Sequence, residues 1–145
     1  MFRGSLLPDL SGIDRYAYIS SWAVDIIDTY ETDKIMLEDY AYAATGRVFN
    51  IGENTGILKY RLRNKANIVL VTPTEVKKFA TGKGNAKKSN MLEAFINKTY
   101  VDPREILDYH GENPISDIVD SYFICNYKEA IDGKANRQGQ KKDRL

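Results

Sequence analysis

Two short apolar segments separated by a helical pattern constrain the fold of this chain most. Residues 34–38 read Lys-Ile-Met-Leu-Glu, and residues 67–72 read Asn-Ile-Val-Leu-Val-Thr. Short apolar runs rich in β-branched residues are typical of strands that are buried on both faces. Between them, residues 46–63 keep a helical spacing of apolar and small side chains: Val48, Ile51, Thr55, Leu58 and Leu62. This order predicts two parallel strands joined by a right-handed crossover helix.

The rest of the chain reads as helices. The spacing predicts a first helix from about Asp14 to Tyr30, with a core face made of Tyr16, Ile19, Ala23, Ile26, Ile27 and Tyr30. After the second strand it predicts a short helix capped by Thr74, a helix 89–100 capped by Ser89, and a last helix from Ser116 to about Ala130. The fold class is therefore α/β, in the order helix–strand–helix–strand–helices. With 145 residues we expect one domain, residues 1–132, followed by a basic flexible tail, residues 133–145.

Charge is distributed unevenly along the chain. The net charge is only +1, but five lysines and no acid lie between Lys77 and Lys88. A locally basic segment favours nucleic acid even when the total is near neutral. The alternative is a solvated face and, for the tail, a frayed terminus.

Several function classes find little support. The single cysteine, Cys125, cannot form an intramolecular disulfide, and no zinc-ligand spacing exists. We expect Cys125 to be a buried, inert thiol on the apolar side of the last helix, and His110, the one histidine, to be a surface residue. No apolar run approaches the roughly 18 residues of a membrane span. A reducing cytoplasmic setting fits this composition.

Three acids are candidates for metal binding. Glu38 ends the first strand, where open α/β sheets place their ligand sites. Asp117 and Asp120 stand three apart and share one face of the last helix. Close carboxylates repel each other, and Mg²⁺ would relieve the repulsion. The alternative for Asp117 is stabilisation of the helix N-terminus, and for Glu38 a chance acid.

A glycine-rich basic loop and two tyrosines are candidates for contact with DNA. The loop Gly82-Lys83-Gly84 lacks the spacing of a nucleotide-binding P-loop, but it can hold a backbone phosphate; the alternative is a flexible turn. Tyr40 and Tyr42, just past Glu38, are candidates to stack on bases.

Three segments, in this order, resemble the RuvC-type Holliday junction resolvases, in particular the phage-encoded branch of that family. LEDYAYAATGRVFNIGENTG resembles the strand-end glutamate and the helix that carries G-[EQ]-x-x-G. TPTEVKKFATGKGNAKK resembles the DNA-contacting segment V-K-x-x-x-x-G-x-G-x-A-x-K. ISDIVDSYFI resembles the final helix with D-x-x-D.

The resemblance implies an RNase H-like fold in which four carboxylates hold two Mg²⁺ ions, for which Mn²⁺ can substitute. It implies that these ions promote the hydrolysis of phosphodiester bonds. It implies a homodimer that cuts four-way (Holliday) or branched DNA junctions, in a bacterial or phage-infected cell. Carried over by position, three catalytic and metal-binding carboxylates are Glu38, Asp117 and Asp120. We expect the DNA-binding residues to be Lys77, Lys78, Lys83, Lys87 and Lys88, with Tyr40 and Tyr42. Among these, Lys77, Lys83 and either Lys87 or Lys88 match the family's DNA-contacting segment.

One part of the family pattern has no counterpart. The family's first metal-binding aspartate stands on a strand well before the first helix, and neither Asp9 nor Asp14 matches it. We expect the domain to be incomplete at its N-terminus, as a fragment, as a chain completed by a partner that supplies strands, or as a non-catalytic module that binds branched DNA or a partner. Each alternative leaves strand surface to be covered, so we expect a dimer or a partner.

Overall fold

A computed structural model describes residues 10–39 and 48–127. The described elements are, in chain order, α1 (Gly12–Thr29), β1 (Lys34–Glu38), α2 (Val48–Leu62), β2 (Asn67–Val71), α3 (Pro73–Thr81), α4 (Lys88–Thr99), α5 (Pro103–Leu107) and α6, which is helical over residues 115–127. The predicted order is confirmed, and β1 has the predicted bounds. No described helix is long and apolar enough to cross a membrane.

Some predictions fall outside the described residues. These are Tyr40 and Tyr42, Asp9, the first residues of the helix predicted from residue 46, the end of the last helix near Ala130 and the basic tail 133–145. The division into a domain 1–132 and a tail therefore stays a prediction.

The two strands form a two-stranded parallel sheet, as predicted. The Asn67 N–H donates to the Asp33 carbonyl at 2.9 Å, and the Asp39 N–H donates to the Val71 carbonyl at 2.8 Å. The partners advance together along both strands, which is the parallel pattern. The prediction that both strands are buried on both faces is wrong, since Val71 is buried but Leu70 is 44% exposed. Within the described residues each strand has only one neighbour.

The chain divides into two compact units. The first unit contains α1 and α2 and spans residues 1–35 and 40–69. Its buried apolar side chains are Tyr16, Ile27 and Leu62. Arg61 ties α2 to α1, because its guanidinium donates to the Ser20 hydroxyl at 3.3 Å and to the Ser21 hydroxyl at 2.8 Å.

Two side chains predicted for the apolar faces of this unit are exposed instead. Tyr30 is 64% exposed and Ile51 is 53% exposed. Tyr30 directly follows the last residue of α1, where fewer neighbouring residues cover it.

In the second unit, Met36–Asp39 and Leu70–Leu145, the core of the described residues lies around α6. Val119 and Phe123 are each 1% exposed. The other buried members of this core are Val71, Val76, Ala86, Met91, Phe95 and Tyr127. The apolar stripe of α6 thus contains Ile115, Val119, Phe123 and Tyr127 at a spacing of four residues. The expectation that Cys125 is buried is wrong, since Cys125 lies off this stripe and is exposed.

The helices α3 and α4, which carry Lys77 and Lys88, each begin after a residue other than the predicted cap. The Thr72 hydroxyl accepts from the Glu75 N–H at 3.3 Å, and the Glu75 carboxylate accepts from the Thr72 N–H at 3.0 Å. This capping box starts α3 at Pro73, a residue suited to the first helical position, rather than after Thr74. The cap of α4 is Lys87 rather than Ser89, and its N–H donates to Asn90 Oδ1 at 3.2 Å.

Candidate functional site

A small cavity in the second unit is closed by two acids and two lysines. Its volume is about 140 Å³. The polar side chains on its lining are Glu38, Lys77, Lys88 and Asp120. The apolar side chains on its lining are Pro73, Val76, Met91 and Ile124. Four of the predicted site residues, distant in sequence, therefore share one cavity.

Each polar residue of this acidic cavity comes from a different element. Glu38 is the last residue of β1, and Asp120 lies in the second turn of α6. Lys77 belongs to α3, and Lys88 is the first residue of α4. Asp120 directly follows the buried Val119, so the packing of α6 determines where this carboxylate lies.

The environment of the two carboxyl groups disfavours their ionised forms. The pKa of Glu38 is raised, first because surrounding protein atoms displace water from it and then because Asp120 repels its charge; Lys77 opposes both effects. The pKa of Asp120 is also raised, first by desolvation and to a smaller extent by Asp117, while Lys77 and Lys88 lower it. Glu38 is the one exposed residue of β1, whereas the four residues before it are half-buried.

Lys88 stands between two acidic groups. Its ammonium forms an ion pair with Glu112, and that hydrogen bond is the largest cause of its raised pKa; Asp120 and Asp117 add to it. Glu112 was not predicted from the sequence. No sequence pattern links positions 88 and 112, because the segment between α5 and α6 has no periodicity that would place an acid beside the start of α4.

Asp117 remains near the pair but does not line the cavity. It is exposed in the first turn of α6, and its charge contributes to the pKa values of Asp120 and Lys88. Across residues 10–39 and 48–127, no three or more histidine, cysteine, aspartate or glutamate side chains are grouped so that they could hold a metal ion. The structure thus brings together Glu38 and Asp120, and the role of Asp117 stays a prediction.

The remaining predicted lysines lie around the glycine-rich loop. Lys78 and Lys87 are exposed, and Lys83 lines a different cavity between α3 and α4. Gly82 ends α3 with φ 78°, a left-handed conformation that favours glycine. A Cβ atom on Gly84 would lie 2.7 Å from Thr74 Cγ2. The backbone conformation therefore favours glycine at Gly82, and the close approach of Thr74 favours it at Gly84.

The donor set fits a hard divalent cation. Mg²⁺ prefers oxygen ligands and is often held by one or two carboxylates while it keeps several waters. Glu38 and Asp120 supply two such carboxylates on the lining of one cavity.

Comparison with known proteins shows the fold. No protein-family model matches the sequence, and no curated protein matches it. Among solved structures, the chain is similar to that of Thermus thermophilus RuvC, with a TM-score of 0.61 and 14% sequence identity. The similarity covers 87% of this chain and 75% of the RuvC chain. The chain therefore has a RuvC-like fold, of the RNase H-like α/β class.

Proposed function

We propose that this protein is a metal-dependent endodeoxyribonuclease that resolves four-way or branched DNA junctions. The observation that carries the proposal is the acidic cavity: Glu38 and Asp120 share it with Lys77 and Lys88. In a RuvC-like fold, this is the combination that hydrolysis of a phosphodiester bond needs, oxygen ligands for divalent cations beside positive charge for the phosphate. The motifs quoted above favour the phage-encoded branch of these resolvases.

The acidic residues and Lys77 have separate roles in the proposed reaction. Glu38 and Asp120 would hold Mg²⁺ or Mn²⁺, and Asp117, one turn earlier on α6, would be a further ligand. An ion held there would supply activation of a water and stabilisation of the leaving oxygen. Lys77 lowers the pKa of both acids and so favours the carboxylate forms that coordinate a cation.

The lysines of α3, the glycine-rich loop and the start of α4 bind the DNA backbone. Lys77, Lys78, Lys83 and Lys87 present ammonium groups from one continuous segment. Lys88 joins them by exchanging its Glu112 partner for a phosphate. Each lysine that neutralises a phosphate adds to the salt dependence of binding.

A homodimer, or a partner that contributes strands, completes the assembly. Large apolar side chains of the first unit support this: Phe49 is 84% exposed, Tyr60 66% and Trp22 57%. Where exposed apolar side chains form one large contiguous patch, that patch marks an interaction site. A symmetric dimer would present two acidic cavities to the two strands of a junction.

One observation favours a second function, a non-catalytic module that binds branched DNA. In the described part of the chain only two acids line the cavity, without a third potential ligand. Such a module would keep the lysines and would need no metal.

Cleavage of a synthetic four-way junction distinguishes the two functions. The nuclease nicks the junction with Mg²⁺ or Mn²⁺ and loses more than about 100-fold in rate on Glu38→Gln or Asp120→Asn. This exceeds the roughly 10–100-fold loss that is typical when a group that hydrogen-bonds to a metal ligand is removed. Glu105→Gln, a matched change on α5, leaves the rate unchanged.

Two other outcomes decide against the nuclease. Junction binding without nicking, unaffected by Glu38→Gln, supports the non-catalytic module. Absence of junction binding at low salt contradicts both functions.

A further inference from the structure

A second cavity, of about 540 Å³, lies between α3 and α4 in the second unit. It shares no lining residue with the acidic cavity. The volume falls within the range of about 300–1,000 Å³ that is typical of sites for small organic ligands. The side chains that carry its chemistry are Phe79, Lys83, Asn90, Asn97 and Lys98.

An aromatic ring forms one wall of this α3–α4 cavity. Phe79 is held in place by edge-to-face contacts with Phe123, at a centroid distance of 6.5 Å, and with Tyr127, at 5.4 Å. The Lys98 ammonium lies 5.3 Å from the centroid of the Phe79 ring. A ring that is fixed by its neighbours and already attracts a cation is a suitable surface for a planar, polarisable ligand.

Two amides line the opposite side, on one face of α4. The Oδ1 atom of Asn90 already accepts from the Lys87 N–H at 3.2 Å, which leaves its Nδ2 donors for a ligand. Asn97 is exposed and has no hydrogen-bond partner among the described residues, so it offers both donors and an acceptor. Amide groups of this kind match the mixed donors and acceptors at the edge of a nucleobase better than they match a phosphate.

The charges around the cavity favour an anionic chain. Lys83 and Lys98 are exposed, and one acid, Glu93, stands against them on the lining. Lys83 belongs to the basic segment from Lys77 to Lys88, so a DNA strand on that segment would pass the mouth of the cavity.

We propose that the α3–α4 cavity receives one unpaired nucleobase of the DNA. The base displaces the Lys98 ammonium from the Phe79 ring and lies against that ring, and its edge binds the amides of Asn90 and Asn97. The flanking phosphates then contact Lys83 and the displaced Lys98. This site rests on the proposed function only in taking DNA as its ligand. It gives the protein a preference for branch points at which a nucleotide has left the helix.

Single-stranded pentanucleotides test the site without a junction or a metal. A deoxythymidine pentamer and a pentamer of abasic deoxyribose phosphates carry the same charge, and each is titrated into the full-length protein in EDTA. We expect the thymidine pentamer to bind at least about fivefold more tightly than the abasic pentamer, because only the thymidine pentamer has bases that can stack on an aromatic side chain. We also expect it to shift the NMR signals of the Asn90 and Asn97 side-chain amides. Equal affinities, or no shift of these amides, would overturn the proposal.

Two variants test the assigned contacts. Phe79→Leu removes the ring and should reduce the preference for thymidine over the abasic chain to about twofold or less. Asn97→Asp removes the amide donors and should lower the preference by at least about twofold, the size expected for one lost hydrogen bond. Asn64→Asp makes the same chemical change at an exposed turn of the first unit and should keep the full preference. If Asn97→Asp keeps it too, the site is wrong. Because no junction, metal or cleavage is involved, these failures would leave the proposed nuclease standing, and failure of junction cleavage would not alter this result.

Discussion

Replacement of Asp120 by asparagine should stabilise the metal-free protein at neutral pH. The pKa of Asp120 is raised in the folded chain, chiefly by desolvation, so folding disfavours its ionised form. The carboxylate has no hydrogen bond or ion pair among the described residues, so an amide of the same shape loses no direct partner. The change also removes the second largest cause of the raised pKa of Glu38.

The size of the gain is limited by solvent. Asp120 is only half-buried, so screening keeps the effect at about 0.5–1 kcal/mol in the free energy of unfolding. For a chain of this length that corresponds to a rise in melting temperature of roughly 1–4 °C. The variant also loses the attraction between the Asp120 carboxylate and Lys77 and Lys88. This loss does not reverse the gain, because desolvation raises the pKa of Asp120 by more than the two lysines lower it.

The dependence of stability on pH tests the direction of the Asp120→Asn effect independently. A carboxyl group whose folded pKa is raised contributes stability that is fully present below its ordinary pKa of 3.8 and is lost as the pH rises through the folded value. The wild-type protein has therefore lost this contribution at pH 7, whereas the asparagine variant has not. The difference in melting temperature should be largest at pH 7 and should vanish near pH 3.5.

Thermal unfolding followed by circular dichroism in EDTA measures the difference. Asp117→Asn is the matched control: it removes an exposed acid from the first turn of α6 and should lower stability by roughly 0.3–1 kcal/mol through the helix dipole. Mg²⁺ at ten times its dissociation constant should raise wild-type stability by about 1.4 kcal/mol and leave Asp120→Asn unchanged. An Asp120→Asn variant that melts below wild type at pH 7 would refute this account of the cavity.

Three further changes test the surroundings of the site. Thr72→Ala removes the capping box of α3 and should cost about 1 kcal/mol in urea unfolding, whereas Thr74→Ala, at the position that caps nothing, should cost less; equal losses would contradict the assigned cap. Glu112→Gln frees Lys88 and should tighten junction binding and steepen its salt dependence, measured by fluorescence anisotropy; weaker binding would show that the ion pair holds Lys88 in place for DNA. Phe123→Ala should cost about 3–5 kcal/mol in the same urea assay, because Phe123 is 1% exposed in the core around α6, and a cost below about 1 kcal/mol would contradict that packing.

The sequence predicted the order of the elements and the parallel strands because those depend on local patterns. The run Lys34–Glu38 is bounded by turn residues and has the length of a strand, so its bounds agree with the structure. The helix caps were predicted two residues late at Thr74 and Ser89. The actual caps use contacts that the residue types did not reveal, a threonine before a proline in one case and the side chain of Asn90 in the other.

The sequence indicated candidate residues for the site but not how those residues are arranged in space. Glu38 and Asp120 were chosen from a strand end and a helix spacing, and the structure places them in one cavity. Spacing alone could not show that Asp117 lies outside the lining, since that depends on how α6 packs through Val119 and Phe123. Glu112 could not be predicted as the partner of Lys88, because irregular segments leave no periodic signal.

The most direct test of the proposed function is to locate the ion. Crystals of the protein soaked in Mn²⁺ can be measured at the manganese absorption edge, where an anomalous peak marks the metal. The account predicts a peak about 2.0–2.3 Å from carboxylate oxygens of both Glu38 and Asp120, with waters completing the coordination. A structure in which Mn²⁺ binds elsewhere, while Lys77 and Lys88 occupy the two carboxylates, would contradict it.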